Sequence, residues 1–70
     1  MEIRIDEIPE AVKIIRKDRG MSQTNLARGA GVCLKTVHRL ENGLVGTSVS
    51  SLRDILKALS KDGEEIRVVF

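Results

Sequence analysis

The sequence predicts a mainly α-helical fold, four to five short helices with a short strand at the C-terminal end and a second candidate strand at the N-terminal end. Three observations carry that expectation. Aliphatic residues recur at helical spacing in several short segments, glycines punctuate the segments, and both chain ends alternate apolar and polar residues. Seventy residues make one domain, residues 1–70, with no repeat or linker to divide it. The composition is 41% hydrophobic and 1% aromatic, so the core must be built from Leu, Ile, Val and Ala. A chain of this size buries only roughly 60% of the surface its unfolded state exposes, and some supplement to the core is expected. The single cysteine, Cys33, excludes an internal disulfide, and with the single histidine, His38, it cannot make a structural zinc site without carboxylates. Association with a partner is the supplement that remains.

Taken in order, Ile3 and Ile5 alternate with Glu2 and Arg4 as in a half-buried strand over residues 2–5. Pro9 suits the first turn of a helix, along which Ile8, Ala11, Val12 and Ile15 recur until Gly20. Ser22 is a good N-cap for a second helix over residues 23–28, with Leu26 and Ala27 inward and Gly29 and Gly31 as its stop. A third helix spans residues 33–42, carries Val37 and Leu40 on one side and closes at Asn42-Gly43. Ser50 is the expected cap of a fourth helix, whose stripe is Leu52, Ile55, Leu56 and Leu59. Lys61-Asp62-Gly63 is turn chemistry, and residues 65–70 alternate again, with Ile66, Val68 and Phe70 on one face.

No apolar run approaches the ~18 residues of a membrane span, and no secretory leader is visible, so a cytoplasmic, reducing location is expected. No phosphate loop, paired-carboxylate cleft or activated nucleophile stands out, and neither an enzyme nor a cofactor or metal is expected. The net charge of +2 conceals a segregation. Residues 11–40 hold seven basic residues against one acid, a net +6, and the remainder carries −4. A basic middle between acidic ends is either the footprint of a polyanion or a scatter of solvated surface charge.

The second and third helices are joined by a short glycine-containing turn, the arrangement of a helix-turn-helix, whose second helix enters the major groove of DNA. The third helix has two distinct faces. Advancing about 100° per residue from Leu34, the side chains of Lys35, His38, Arg39 and Asn42 fall at about 100°, 40°, 140° and 80°, whereas Val37 and Leu40 fall at about 300° and 240°. Lys35 and Arg39 can donate to guanine or phosphate, Thr36 lies nearer the edge, and His38 can donate or accept. Leu34 can touch a thymine methyl or tuck against the first helix.

Ser22 to Gly43, reading SQTNLARGAGVCLKTVHRLENG, resembles the helix-turn-helix core of the phage repressor and Cro superfamily, the Xre family. The likeness rests on Gln23 opening the second helix, the Leu26-Ala27 pair, the Gly31-Val32 turn, the branched Val37, and Leu40-Glu41-Asn42-Gly43. It implies a lambda-repressor-like fold and binding to double-stranded DNA. It further implies that Gln23 bonds a phosphate and braces recognition-helix side chains, and that backbone amides near Asn42 and Gly43 touch phosphate. Bases would be read by Cys33, Leu34, Lys35, His38 and Arg39, with Ser22, Thr36 and Asn42 completing the DNA-binding set. Arg16 and Glu41 match a partly buried structural ion pair. Cys33, where Ser or Thr is usual, is a poor cap, and Gly29 should weaken the end of the second helix by up to about 1 kcal/mol.

The terminal strand makes the chain similar to the HipB-like antitoxins. That resemblance implies a homodimer made through residues 64–70 with Ile66, Val68 and Phe70 at the interface, a palindromic operator, repression of its own operon, and a HipA-like kinase toxin as partner. Pairing of the same strand with residues 2–5 of its own chain is the competing arrangement, and the two are compatible in one mixed sheet. A stand-alone phage-type repressor and a protein-interaction adaptor on the same fold are the alternative functions.

Overall fold

Helical periodicity is realised in four helices in the computed structural model, which describes residues 2–43, 47–60 and 66–69. A short strand β1 (Glu2–Arg4) leads through one 3-10 turn (Ile5–Glu7) into α1 (Ile8–Asp18). Then follow α2 (Gln23–Ala30), α3 (Leu34–Glu41), α4 (Val49–Leu59) and strand β2 (Arg67–Val69).

Pro9 lies in the first turn of α1, where its missing N–H costs no hydrogen bond. The ends of α1 and α2 are built alike. Gly20 and Gly31 take positive φ, 68° and 71°, while Met21 N–H donates to the Arg16 carbonyl and Val32 N–H to the Ala27 carbonyl, each at 3.0 Å. These are Schellman closures, which satisfy carbonyls that a bare helix end would leave unpaired. The first three helices pack about Ile8, Val12, Leu26, Val37 and Leu40, and α4 closes the core with Ile55 and Leu59. All seven side chains are fully buried and all are aliphatic.

Several boundaries differ from the expectation, with α3 spanning Leu34–Glu41 within the expected 33–42 and β2 spanning Arg67–Val69 within 65–70. Gly29 does not stop α2, which continues through it to Ala30, because the closure is made at Gly31. A Cβ at Gly29 would meet Ala58 of α4 at 3.9 Å, an ordinary contact. The cap of α4 is Ser48, not Ser50: the Ser48 Oγ accepts the Ser51 amide at 3.1 Å, and the Leu52 amide bonds the Ser48 carbonyl at 3.0 Å. Ile5 does not share a strand face with Ile3. The chain turns into the 3-10 segment after Arg4, which leaves Ile3 buried and Ile5 exposed.

The strands pair in parallel, Glu2 with Arg67, Ile3 with Val68 and Arg4 with Val69. Ile3 is buried, and Ile66 and Val68 pack half-buried on the core beside it. The C-terminal strand thus pairs with the N-terminal strand of its own chain. Phe70, the turn residues Lys61-Asp62-Gly63 and Glu65 lie outside the described residues.

The cap assignment has a direct test. Ser48→Ala should lower stability by about 1 kcal/mol in urea denaturation, and Ser50→Ala by only a few tenths. The reverse order would place the start of α4 two residues later.

Candidate nucleic-acid interface

The geometry of α3 is set from beneath. Val37 and Leu40 are fully buried, and Glu41 is buried after them, so one face of the eight-residue helix is held in the core. Leu34, Lys35, His38 and Arg39 are all exposed, Thr36 is half-buried, and Cys33 before the helix and Asn42 after it are exposed. The opposition of faces expected from the helical angles is therefore present.

Glu41 anchors the end of α3 to two other helices. Its Oε2 accepts Arg16 Nε of α1 at 2.6 Å and its Oε1 accepts Arg16 Nη2 at 3.1 Å, a two-pronged pair. Arg16 Nη1 donates to the Met21 carbonyl at 2.8 Å, so the guanidinium also ties down the turn between α1 and α2. Gln23 Nε2 donates to Glu41 Oε1 at 3.1 Å, joining the first residue of α2 to the same carboxylate. The side chains of Arg16 and Glu41 are only 10% and 1% exposed. Burial works against the charged carboxylate. The hydrogen bonds from Arg16 and Gln23 and the positive charges of Arg16 and Lys13 outweigh it, holding Glu41 below its ordinary value of 4.5. Lys13 was no part of the sequence reading of this network, although it precedes Arg16 by one helical turn and so shares its face.

The remaining site residues are prepared to different degrees. Ser22 caps α2 by accepting the Asn25 amide at 3.0 Å. That leaves the Ser22 hydroxyl proton and the first amides of α2, at Gln23 and Thr24, outside the internal helix bonds. Cys33 occupies the N-cap of α3 without a side-chain bond, as expected of a thiol. Asn42 Nδ2 donates to the His38 carbonyl at 2.8 Å. The Asn42 and Gly43 amides donate to α3 carbonyls, Asn42 to His38 at 3.2 Å and Gly43 to Leu40 at 3.3 Å. Those protons close the helix end. Among the described residues no group of three or more His, Cys, Asp or Glu side chains could hold a metal ion, and no helix is long and apolar enough to cross a membrane.

Arg16→Met should cost about 3 kcal/mol, because it leaves the Glu41 charge buried without its partner. The pH dependence follows from the direction of the Glu41 shift. A carboxyl held below 4.5 in the folded chain contributes its full stability above that value and loses it as the pH falls through the lowered one. The gap in urea midpoint between the parent protein and Glu41→Gln should accordingly be constant above pH 4.5 and narrow below it. A gap that widens on acidification would contradict the assignment.

A model of the helix-turn-helix family matches residues 12–66, a span that includes most of α1 and all of α2, α3 and α4. No curated protein matches the chain. The match covers well over half of the sequence and takes in the two-faced helix, its turn and the residues that anchor it, and the chain belongs to the Cro/C1-type helix-turn-helix family of DNA-binding regulators.

Proposed function

We propose that this protein is a homodimeric repressor that binds a palindromic operator, with α3 in the major groove. The observation that carries the reading is the outer face of α3, where Lys35, His38 and Arg39 stand exposed opposite the buried Val37 and Leu40. Lys35 and Arg39 donate to guanine edges or phosphate, His38 and Thr36 add hydrogen bonds, and Asn42 lies at the backbone. Ser22, Gln23 and the free amides that open α2 seat a second phosphate, where the helix dipole favours negative charge. Arg16 is excluded from DNA by its pairing with Glu41.

Dimerisation through β2 supplies the twofold symmetry that a palindrome requires. Among the described residues the sheet has two strands, with β2 hydrogen-bonded to β1 along one edge. In the proposed dimer a twofold axis pairs the other edge of β2 antiparallel with its mate and extends the sheet to four strands. Val69, 40% exposed, and the half-buried Ile66 and Val68 then gain cover, with Phe70 next in line. The pairing also removes an edge that would otherwise favour aggregation. Within the family, a helix-turn-helix followed by a helix and a terminal strand fits the HipB-like antitoxin pattern. The protein would then repress its own operon in the cytoplasm and bind a HipA-like kinase toxin.

Two experiments test the reading. Lys35→Glu combined with Arg39→Glu should weaken binding to the DNA upstream of the protein's own gene by at least about 100-fold and flatten the salt dependence of binding by about two counterions. Unchanged binding would remove α3 from the interface. Deleting residues 65–70 should convert a dimer to a monomer in sedimentation equilibrium with the helical circular dichroism retained, and should weaken operator binding. A truncated chain that remains dimeric would end the strand-pairing proposal.

A further inference from the structure

Leu34 is an anomaly on a polar surface. It is 48% exposed and occupies the first turn of α3 next to the exposed Cys33, whose thiol makes no cap bond. Helical geometry puts Leu34 about 40° from His38 and about 100° from Lys35, so it flanks the basic stripe on the surface that faces the groove.

Base edges in the major groove present donors, acceptors, the small C5–H of cytosine and one bulky apolar group, the 5-methyl of thymine. A leucine set against a donor or acceptor would strip water from a polar group and return no hydrogen bond. Against the methyl it removes apolar surface from water on both sides. Cys33, a small and weakly polar side chain, extends the same apolar surface towards the start of the helix.

We infer that Leu34, with Cys33 beside it, reads the 5-methyl group of a thymine adjoining the base pair contacted by Lys35 and Arg39, so that each half-site requires thymine rather than any pyrimidine at that position. The inference rests on the reading of α3 as the groove-facing helix and adds the apolar half of its recognition code. Lys35 and Arg39 select by hydrogen bonds and charge, whereas Leu34 selects by rejecting polar edges.

The experiment removes only the methyl group. A duplex selected by the parent protein from a randomised pool is resynthesised with each thymine in turn replaced by deoxyuridine, which keeps the base pair and the O4 acceptor. Binding is measured for the parent, for Leu34→Ala, whose substitution lies on an exposed site, and for the Lys35→Glu, Arg39→Glu double variant. One thymine per half-site should respond, with a loss of about fourfold for the parent, the size of one methyl transfer from water. Leu34→Ala should bind the thymine and uracil duplexes equally. If no replacement weakens the parent, or if Leu34→Ala discriminates as the parent does, the thymine assignment is overturned even though the charge-reversed variant still fails to bind. If the charge-reversed variant binds the selected duplex like the parent, the groove-facing role of α3 falls instead.

Discussion

The structure depends on one carboxylate. Glu41 is the point at which α1, α2 and the end of α3 are held together, through Arg16, Gln23 and, by way of the Arg16 guanidinium, the Met21 carbonyl. Burying such a pair is expensive, and well-packed apolar residues would often stabilise a fold equally well. What the charges add is direction. Val37 and Leu40 seat a two-turn helix in the core, but apolar contacts tolerate rotation and sliding. A two-pronged Arg16 contact and an amide from Gln23 admit a narrow range of positions for the last turn of α3. The outer face, with Lys35, His38 and Arg39, inherits that constraint. The same pairing removes Arg16 from the pool of available cations, so the +6 of residues 11–40 overstates the charge that a polyanion would meet.

Most of the fold was legible because its information is local. The spacing of Ile8, Val12 and Ile15, of Val37 and Leu40, and of Ile55, Leu56 and Leu59 reports helix faces directly, and Gly20 and Gly31 mark closures that need positive φ. What misled was local chemistry with several equivalent solutions. Thr47, Ser48, Ser50 and Ser51 can all cap a helix, and nothing local distinguishes Ser48, the residue whose Oγ accepts the Ser51 amide. Gly29 and Gly31 both read as stops, yet only the second takes the left-handed conformation. Ile3 and Ile5 alternate like a strand, but pairing with Arg67–Val69 reaches only as far as Arg4, and a strand persists only where it has a neighbour.

The candidate site divides in the same way. Exposure of Lys35, His38 and Arg39 follows from helical angles alone, and the Arg16–Glu41 pair followed from family resemblance. The contributions of Met21 and Lys13 to that pair depend on how a turn and a neighbouring helix are placed, and only the coordinates reveal them. The amides of Asn42 and Gly43 are spent on closing α3, whereas the opening amides of α2 stay outside the internal helix bonds. The parallel pairing of β2 with β1 joins residues 2–4 to residues 67–69; the alternation at both ends offers it as one of two pairings, but no local pattern selects a partner strand.

The central claim is that a basic helix face, oriented by a buried ion pair, is the surface that meets DNA. Titrating the 15N-labelled protein with its operator duplex and following each backbone amide by NMR tests this most directly. The account predicts that the largest shifts fall on Ser22 to Thr24 and on Cys33 to Arg39, with Glu2, Asp6, Glu7 and Glu10 at the acidic end left in place. Shifts concentrated on β1 and the first turn of α1, with the amides of α3 unmoved, would contradict it.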